Sequence, residues 1–461
     1  MVEFGESILW FLVLIGIMIM IHEFGHFWAA RFFDVKVETF SFGFGPRLFG
    51  FKRGETDYRF SLILFGGYVK MAGELLPEEA GKQRDPSILL TGAQESSTAA
   101  DDPRALPNKP RWQRLIISFA GPFMNIVLAV GVLTGLYMVK YPKVSDADKE
   151  AVIGHVVPGS PAAKAGIQDG DRIVKFDGRN KPSWNDIMLK EFISADRPLP
   201  VTIQRNGSQF DTTVTPILSQ KLGVGYAGWD ESGEIQLAGV EPGYPADKAG
   251  LKKGDLILSL NGQPLHSPTR FSEITRSGGG KPIEIEYQRN GQDHTVTVTP
   301  VLSKLDGPPH YMIGVQQTQK LNIVTISLPF PSAFKEAVSE NAKESFLMVD
   351  VIKGMVERRL SPKSLSGPIG IAQMSGQAAK EGATDFLLLM STISLQLAII
   401  NLLPIPILDG GAILMLLIEM VMQRDMSLNV KEAVFKVGFV FIMMLVAFAI
   451  YNDISKILPA G

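Results

Sequence analysis

Four stretches of this 461-residue chain are apolar over a length that crosses a bilayer: Ile8 to Ala30, Leu115 to Met138, Phe386 to Leu408 and Val434 to Tyr451. A helix rises about 1.5 Å per residue, so roughly 20 apolar residues cover the hydrocarbon core. Inside lipid each backbone N–H and C=O must find its partner within the segment, which makes every such stretch a helix. The expected architecture is a polytopic α-helical membrane protein with four transmembrane helices. The first stretch does not read as a signal peptide. Its leading residues, MVEFGES, hold two glutamates and no Lys or Arg, and no small-residue cleavage site follows, so it is expected to be a retained span.

The flanking charges orient these spans. Arg31, Lys36 and Arg47 follow the first, and Arg104, Lys109, Arg111 and Arg114 precede the second. Positive loops stay in the cytoplasm, which places the N-terminus outside, residues 140–385 outside, 409–433 inside and the C-terminus outside. Net charge is −2, so nothing favours nucleic acid as a partner. There are no cysteines. Disulfides and thiolate metal ligands are therefore excluded, and any zinc site must be built from nitrogen and oxygen.

The long external segment repeats itself. PGSPAAKAGIQDGDRI at 158–173 returns as PGYPADKAGLKKGDLI at 242–257, an offset of 84 that also aligns Arg205-Asn206-Gly207 with Arg289-Asn290-Gly291. Each copy alternates short β-branched runs with Asp-Gly or Asn-Gly turns, and a short helix in each ends at Gly166 or Gly250. Two domains of α+β type are thus expected in tandem. Their pattern resembles the PDZ domains of bacterial envelope proteases. Capture of an extended C-terminal peptide and service as a steric filter both stay open for them. After them, 329–360 carries Phe334, Val338, Phe346, Val349 and Ile352 at helical spacing, which predicts an amphipathic helix on the membrane surface or against the repeats.

Within the first apolar stretch stands His22-Glu23-Phe24-Gly25-His26. Residues four apart share one face of a helix, so both imidazoles can reach one cation. Glu23, beside the first, can contact a water there without being a ligand; HExxH on a helix is the signature of zinc metalloproteases. Ionisable groups within a span are costly and functional by default. A catalytic zinc takes three protein ligands and keeps one position open. Asp409 is the candidate third ligand, at the cytoplasmic end of an apolar helix interrupted by Pro404 and Pro406 and followed by Gly410-Gly411.

HEFGH in the first span, Leu408-Asp409-Gly410 at the end of a later one, Gly121-Pro122-Phe123-Met124-Asn125 in the second and the paired external repeats together resemble the site-2 protease family. Within that family they are most similar to the branch of regulators of sigma-E proteases. The resemblance covers essentially the whole chain. It implies Zn2+ as cofactor, with His22, His26 and Asp409 as its ligands and Glu23 as catalytic acid and base. It further implies that Asn401 contacts substrate, while Asn125 reads as a hydrogen-bonding residue between helices.

The Phe- and Gly-rich segment 38–73 shows strand-like runs at Pro46–Phe51, Asp57–Leu64 and Gly67–Met71. In the family this region is a membrane re-entrant β-structure whose edge holds unwound substrate, with Gly43 and Gly45 as candidate substrate-binding positions here. The polar stretch 75–108 is expected to be flexible. The domain boundaries suggested are 1–30, 31–112, 113–139, 140–222, 223–305, 306–385, 386–408, 409–433 and 434–453.

The function expected is zinc-dependent hydrolysis of peptide bonds within single-span membrane proteins, as in regulated intramembrane proteolysis. By resemblance the substrates are an anti-sigma factor already cut by another protease, or remnant signal peptides. The site is a bacterial inner membrane, with membrane lipid as surroundings, catalysis toward the cytoplasm and the repeats periplasmic. Oligomeric state is open. Two other classes compete. A catalytically inactive PDZ-bearing scaffold would have no need to keep His22, Glu23, His26 and Asp409 together. A zinc transporter or metal sensor would need further ligands along spans two and four, which supply almost none.

Overall fold

The structure is a computed structural model, which describes residues 2–73, 102–139, 141–144, 149–220, 222–303 and 309–457. Most of the stretch expected to be flexible, 75–101, lies outside the described residues. The chain forms two units. The first comprises Met1–Tyr141, Ile326–Val349 and Leu365–Lys456; the second is built on Pro142–Thr325, with Asp350–Ser364 and Ile457–Gly461.

In the first unit, helix α1 (Val2–Phe32) packs on α2 (Arg111–Val139). The contact is close because Gly25 has no side chain. A Cβ there would overlap the Ala120 carbonyl and stand 2.8 Å from Met124 Cγ. Helix α7 (Ala383–Asn401) also packs on α2, fastened by two serines within the apolar contact. Ser391 donates to the Ala129 carbonyl and Ser394 to that of Asn125, each at 2.9 Å, the kind of hydrogen bond that sets register between membrane helices. Helix α9 (Leu428–Ile457) is anchored at its far end, where buried Asp453 accepts the N–H groups of Gly367, Ile369 and Gly370 at the start of α6 (Pro368–Glu381). Among the described residues, four helices are long and apolar enough to cross a membrane by length and composition: Gly5–Phe32, Arg111–Val139, Ala383–Asn401 and Asn429–Lys456.

The third of these is shorter than the apolar run suggests. Instead of continuing to Leu408, the helix stops at Asn401. Pro404 and Pro406 cannot continue it, Ile407 is held at φ +83°, and a new helix, α8 (Asp409–Met422), begins at Asp409. A β-branched residue in the left-handed region stores about 1–3 kcal/mol of strain, and here it directly precedes the Leu-Asp-Gly motif. The 409–433 segment, expected as a loop, thus opens with a 14-residue helix.

Strands β1 (Val37–Arg53) and β2 (Thr56–Met71) form a hairpin doubled on itself. The first half of β1 lies against Gly67–Met71, its second half against Thr56–Ser61, and Thr39–Phe42 also step along Asp57–Phe60. Gly43 and Gly45, at φ +92° and +84°, make the bend. A Cβ on Gly43 would stand 2.9 Å from the Ser61 carbonyl oxygen, so only glycine fits. Phe44, Leu48, Phe49, Phe51, Phe60, Leu62 and Ile63 are exposed, an unusual load of apolar surface for a small sheet. Helix α5 (Phe330–Val356) is found where the 329–360 periodicity predicts. Its buried positions include Ala333 and Ala337, packed against Leu133 and Tyr137, while Phe334, Val338, Phe346 and Val349 are exposed.

The second unit holds the repeat as two sheets of one design. The first runs in the order β7-β3-β4-β5-β6, where β3 is Ala151–Val156, β4 Arg172–Phe176, β5 Leu199–Arg205, β6 Ser208–Val214 and β7 Trp229–Glu231. The second runs β11-β10-β9-β8-β12, with β8 Ile235–Val240, β9 Leu256–Leu260, β10 Ile283–Arg289, β11 Gln292–Val298 and β12 Val315–Gln319. Helices α3 (Trp184–Phe192) and α4 (Pro268–Ser277) cover corresponding places, capped by Ser183 and Ser267. Arg205 with Asp171, and Arg289 with Asp255, form matching ion pairs at 2.6 Å. The closing strands β7 and β12 lie beyond 222 and 305, so each sheet reaches past the boundary suggested by the repeated motifs.

One buried acid distinguishes the first sheet. Burial pushes Glu191 up to about 7, against hydrogen bonds from Ala227 and Trp229 that pull the other way. The folded state then holds a proton that the unfolded chain releases above about 4.5. Stability of this repeat is expected to fall as pH rises from about 4.5 to 7, by about 2–3 kcal/mol. Hydrogen exchange of β3 to β5 should show that slope, and Glu191→Gln should flatten it.

Candidate metal centre

The site is assembled by three helices. His22 and His26 project from one face of α1, and Asp409 enters from the first turn of α8. A carboxylate at a helix N-terminus is favoured by the unpaired N–H groups there. Gly410 and Gly411 let the 402–408 segment fold over that turn: a Cβ on either would overlap backbone of Leu402–Leu403 or Ile405. His22 Nε2 lies 3.1 Å from Asp409 Oδ2, His26 Nε2 lies 3.4 Å from Asp409 Oδ1, and the two Nε2 atoms are 3.3 Å apart. Among the described residues, these three form the one cluster of His, Asp or Glu whose ligand atoms all lie within 4.8 Å of one another.

This spacing fits a metal. Around a tetrahedral zinc with ligands at about 2.0–2.1 Å, neighbouring ligand atoms stand about 3.3 Å apart. The outer nitrogens fit as well. His26 Nδ1 donates to the Ile117 carbonyl at 2.8 Å, which leaves Nε2 bare and aimed at the cluster. His22 Nδ1 faces the side-chain amide of Asn125 at 3.2 Å, and Asn125 is fully buried with its Oδ1 otherwise unpartnered. Turning that amide over would place Oδ1 opposite an Nδ1–H, satisfying both groups and freeing His22 Nε2 in the same way. Removing Asn125 is therefore predicted to weaken zinc binding by about 10–100-fold, read by competition of Asn125→Ala with a chromophoric chelator.

Helix α2 is shaped to this task. Ile117, Gly121 and Asn125 are spaced four apart and share the face turned toward the two histidines. Gly121 is the space between its neighbours: a Cβ there would overlap His26 Nε2 and stand 2.8 Å from His22 Nε2. The sequence reading assigned no role to Gly121 and took Asn125 as a bond between helices. It is one, and its partner is a histidine of the cluster. The four-residue spacing in both helices was the signal available.

Glu23 sits one residue from His22 and is approached by the hairpin. It accepts a hydrogen bond from the Val69 backbone, and Gly67 lies so close that a Cβ would be 3.2 Å from Glu23 Cγ. The second strand of the hairpin thus runs past the glutamate. The structure does not bring Asn401, Gly43 or Gly45 into the three-ligand cluster. Asn401 ends α7 before the break that leads to Asp409, and the two glycines sit at the bend of β1.

Two imidazoles from a helix of membrane-spanning length and one carboxylate from the first turn of the short helix α8 converge closely enough that they could hold one metal ion. The chain matches peptidase family M50 over residues 10–445 and belongs to that family, the site-2 proteases. It is a zinc-dependent intramembrane protease. It is similar to the regulator of sigma E protease of Salmonella typhi, with 32% identity over 477 residues covering 98% of this chain and 100% of that one. The regulator of sigma-E protease RseP of Escherichia coli K12 is 30% identical over 478 residues, again 98% and 100% of the two chains. A putative zinc metalloprotease of Neisseria meningitidis serogroup A is 29% identical with the same coverage.

Proposed function

We propose that His22, His26 and Asp409 hold the zinc, that Glu23 is the catalytic acid and base, and that the substrates are transmembrane segments of single-span proteins. The observation that carries this reading is the tetrahedral spacing of three ligand atoms, two from the first membrane-length helix and one from the start of α8, one residue away from an acid outside the cluster. Bound there, zinc would polarise the scissile carbonyl and acidify the attacking water. Glu23 takes that water's proton and returns it to the leaving amine. His26 and His22 are kept in the right tautomer by Ile117 and Asn125.

A substrate helix must lose its own hydrogen bonds before cleavage, and the hairpin strand beside Glu23 offers a surface for the extended form. Its exposed phenylalanines suit entry into the membrane from the cytoplasmic side. Asn401, Gly43 and Gly45 are proposed to line that path. Four spans, with the site on the cytoplasmic half and the two repeats outside as PDZ domains, agree with the basic residues at 31–47 and 104–114. The relatives named for sigma-E regulation point to an anti-sigma factor as one substrate, and remnant signal peptides are a second class. The test is cleavage of a tagged single-span protein by the purified chain. Activity should vanish with a zinc chelator and return with added zinc; cleavage indifferent to the chelator would refute the proposal.

A further inference from the structure

At one of the buried positions where the two repeats differ, an acid stands in place of a neutral residue, and that difference has a chemical meaning. Equivalent hydrogen bonds align their closing loops: Ala162 N–H to the Ala227 carbonyl and Ala246 N–H to that of Ile313, then Val157 to Gly228 and Glu241 to Gly314, all at 2.9 Å. Gly228 and Gly314 share a left-handed φ of +83° and +76°. In each repeat this loop, Ala227-Gly228-Trp229 or Ile313-Gly314-Val315, leads straight into the edge strand, β7 or β12. A helix stands beside that edge: in the second repeat Gln317 of β12 donates to Ser272 of α4 at 2.6 Å. Sheet edge, neighbouring helix and a loop of backbone N–H groups are the parts by which PDZ-like domains add a peptide as a strand and take its terminal carboxylate.

In the first repeat a carboxylate is already there. Glu191, on α3 and 5% exposed, accepts from the Ala227 backbone N–H through Oε1 and from Trp229 Nε1 through Oε2, both at 2.6 Å. The matching residue of α4 is Thr275, whose hydroxyl turns back to the Phe271 carbonyl of its own helix at 2.9 Å. The edge strand is engaged too, since Asp230 of β7 accepts from Ser267 of the second repeat. Burying a carboxyl group is expensive, so Glu191 is a costly way to pack a core unless its two oxygens have a use.

We propose that Glu191 is an internal stand-in for a peptide's terminal carboxylate, closing the first repeat to C-terminal peptides. The first repeat is then a latent site that opens to a peptide with a free α-carboxylate when Glu191 is withdrawn. This rests on reading the repeats as PDZ domains, and the test separates the two.

The full chain in nanodiscs is irradiated with a peptide ending in an aliphatic residue and bearing a benzophenone near its C-terminus; labelled fragments are located by mass spectrometry. Wild type should carry label in the second repeat and only background on Trp184–Phe192 and Trp229–Glu231. Glu191→Thr, which copies the second repeat, and Glu191→Ala should each raise label there at least tenfold. The same peptide without the benzophenone should compete it away, and its C-terminal amide should not. Hydrogen exchange of β3 to β5 verifies that the variants are folded. Wild-type labelling of the first repeat equal to that of the variants overturns the inference. So does background labelling in both folded variants while the second repeat is labelled, an outcome that leaves the PDZ reading intact. Label in neither repeat of any protein overturns the PDZ reading, and the inference with it.

Discussion

Glu23→Gln is expected to keep its zinc and lose its cleavage. The glutamate is next to the metal cluster but outside it, and its neighbours on the other side are Val69 and Gly67 of the hairpin. Exchanging a carboxylate for an amide preserves shape and the bond from Val69, so α1 and β2 should stay in place. What disappears is the group that accepts a proton from the attacking water and delivers it to the leaving amine. Positioned acid–base groups contribute about 10²–10⁴-fold, which sets the loss in kcat expected on a tagged single-span substrate. Zinc per chain, measured in the same preparation, should match wild type. A variant that lost its zinc along with its activity would place Glu23 among the ligands instead.

Gly121→Ala should damage the site as severely without touching any reacting group. One methyl there competes for space with both Nε2 atoms, the atoms that face the metal. Either α2 moves away from α1, breaking the bonds from His26 to Ile117 and between Asn125 and His22, or the imidazoles rotate off the cluster. Losing two such outer bonds, each worth about 10–100-fold, predicts zinc affinity reduced at least 100-fold and cleavage lost with it. The same helix supplies the control. Gly131 and Gly135 have open space where a Cβ would go, so alanine at either should leave zinc and activity unchanged.

Much of this site could be read in the chain before any coordinates. His22 and His26 announce themselves because helical periodicity alone brings residues four apart together, and lipid makes their presence expensive. The repeats were visible because turn and capping residues, such as Pro161, Gly166 and Gly170, are held by local backbone needs and recur in order. What escaped was set by tertiary contact. Asp409 was expected at the end of a span, but Pro404, Pro406 and the strained Ile407 end the span at Asn401, and the acid opens the next helix. Strands β7 and β12 carry little of the repeated motif, since a sheet edge can be completed by almost any extended run. Gly121 matters for the side chain it lacks, and that is legible only when its neighbours are known.

The proposed ligand set is tested most directly by counting zinc in purified wild type and in Asp409→Ala, with cleavage measured on the same samples. One zinc per chain and active cleavage in wild type, with both lost in Asp409→Ala, is the result predicted by His22, His26 and Asp409 sharing one ion. An Asp409→Ala chain that keeps a full zinc and still cuts would contradict it, and would put the third ligand somewhere other than the first turn of α8.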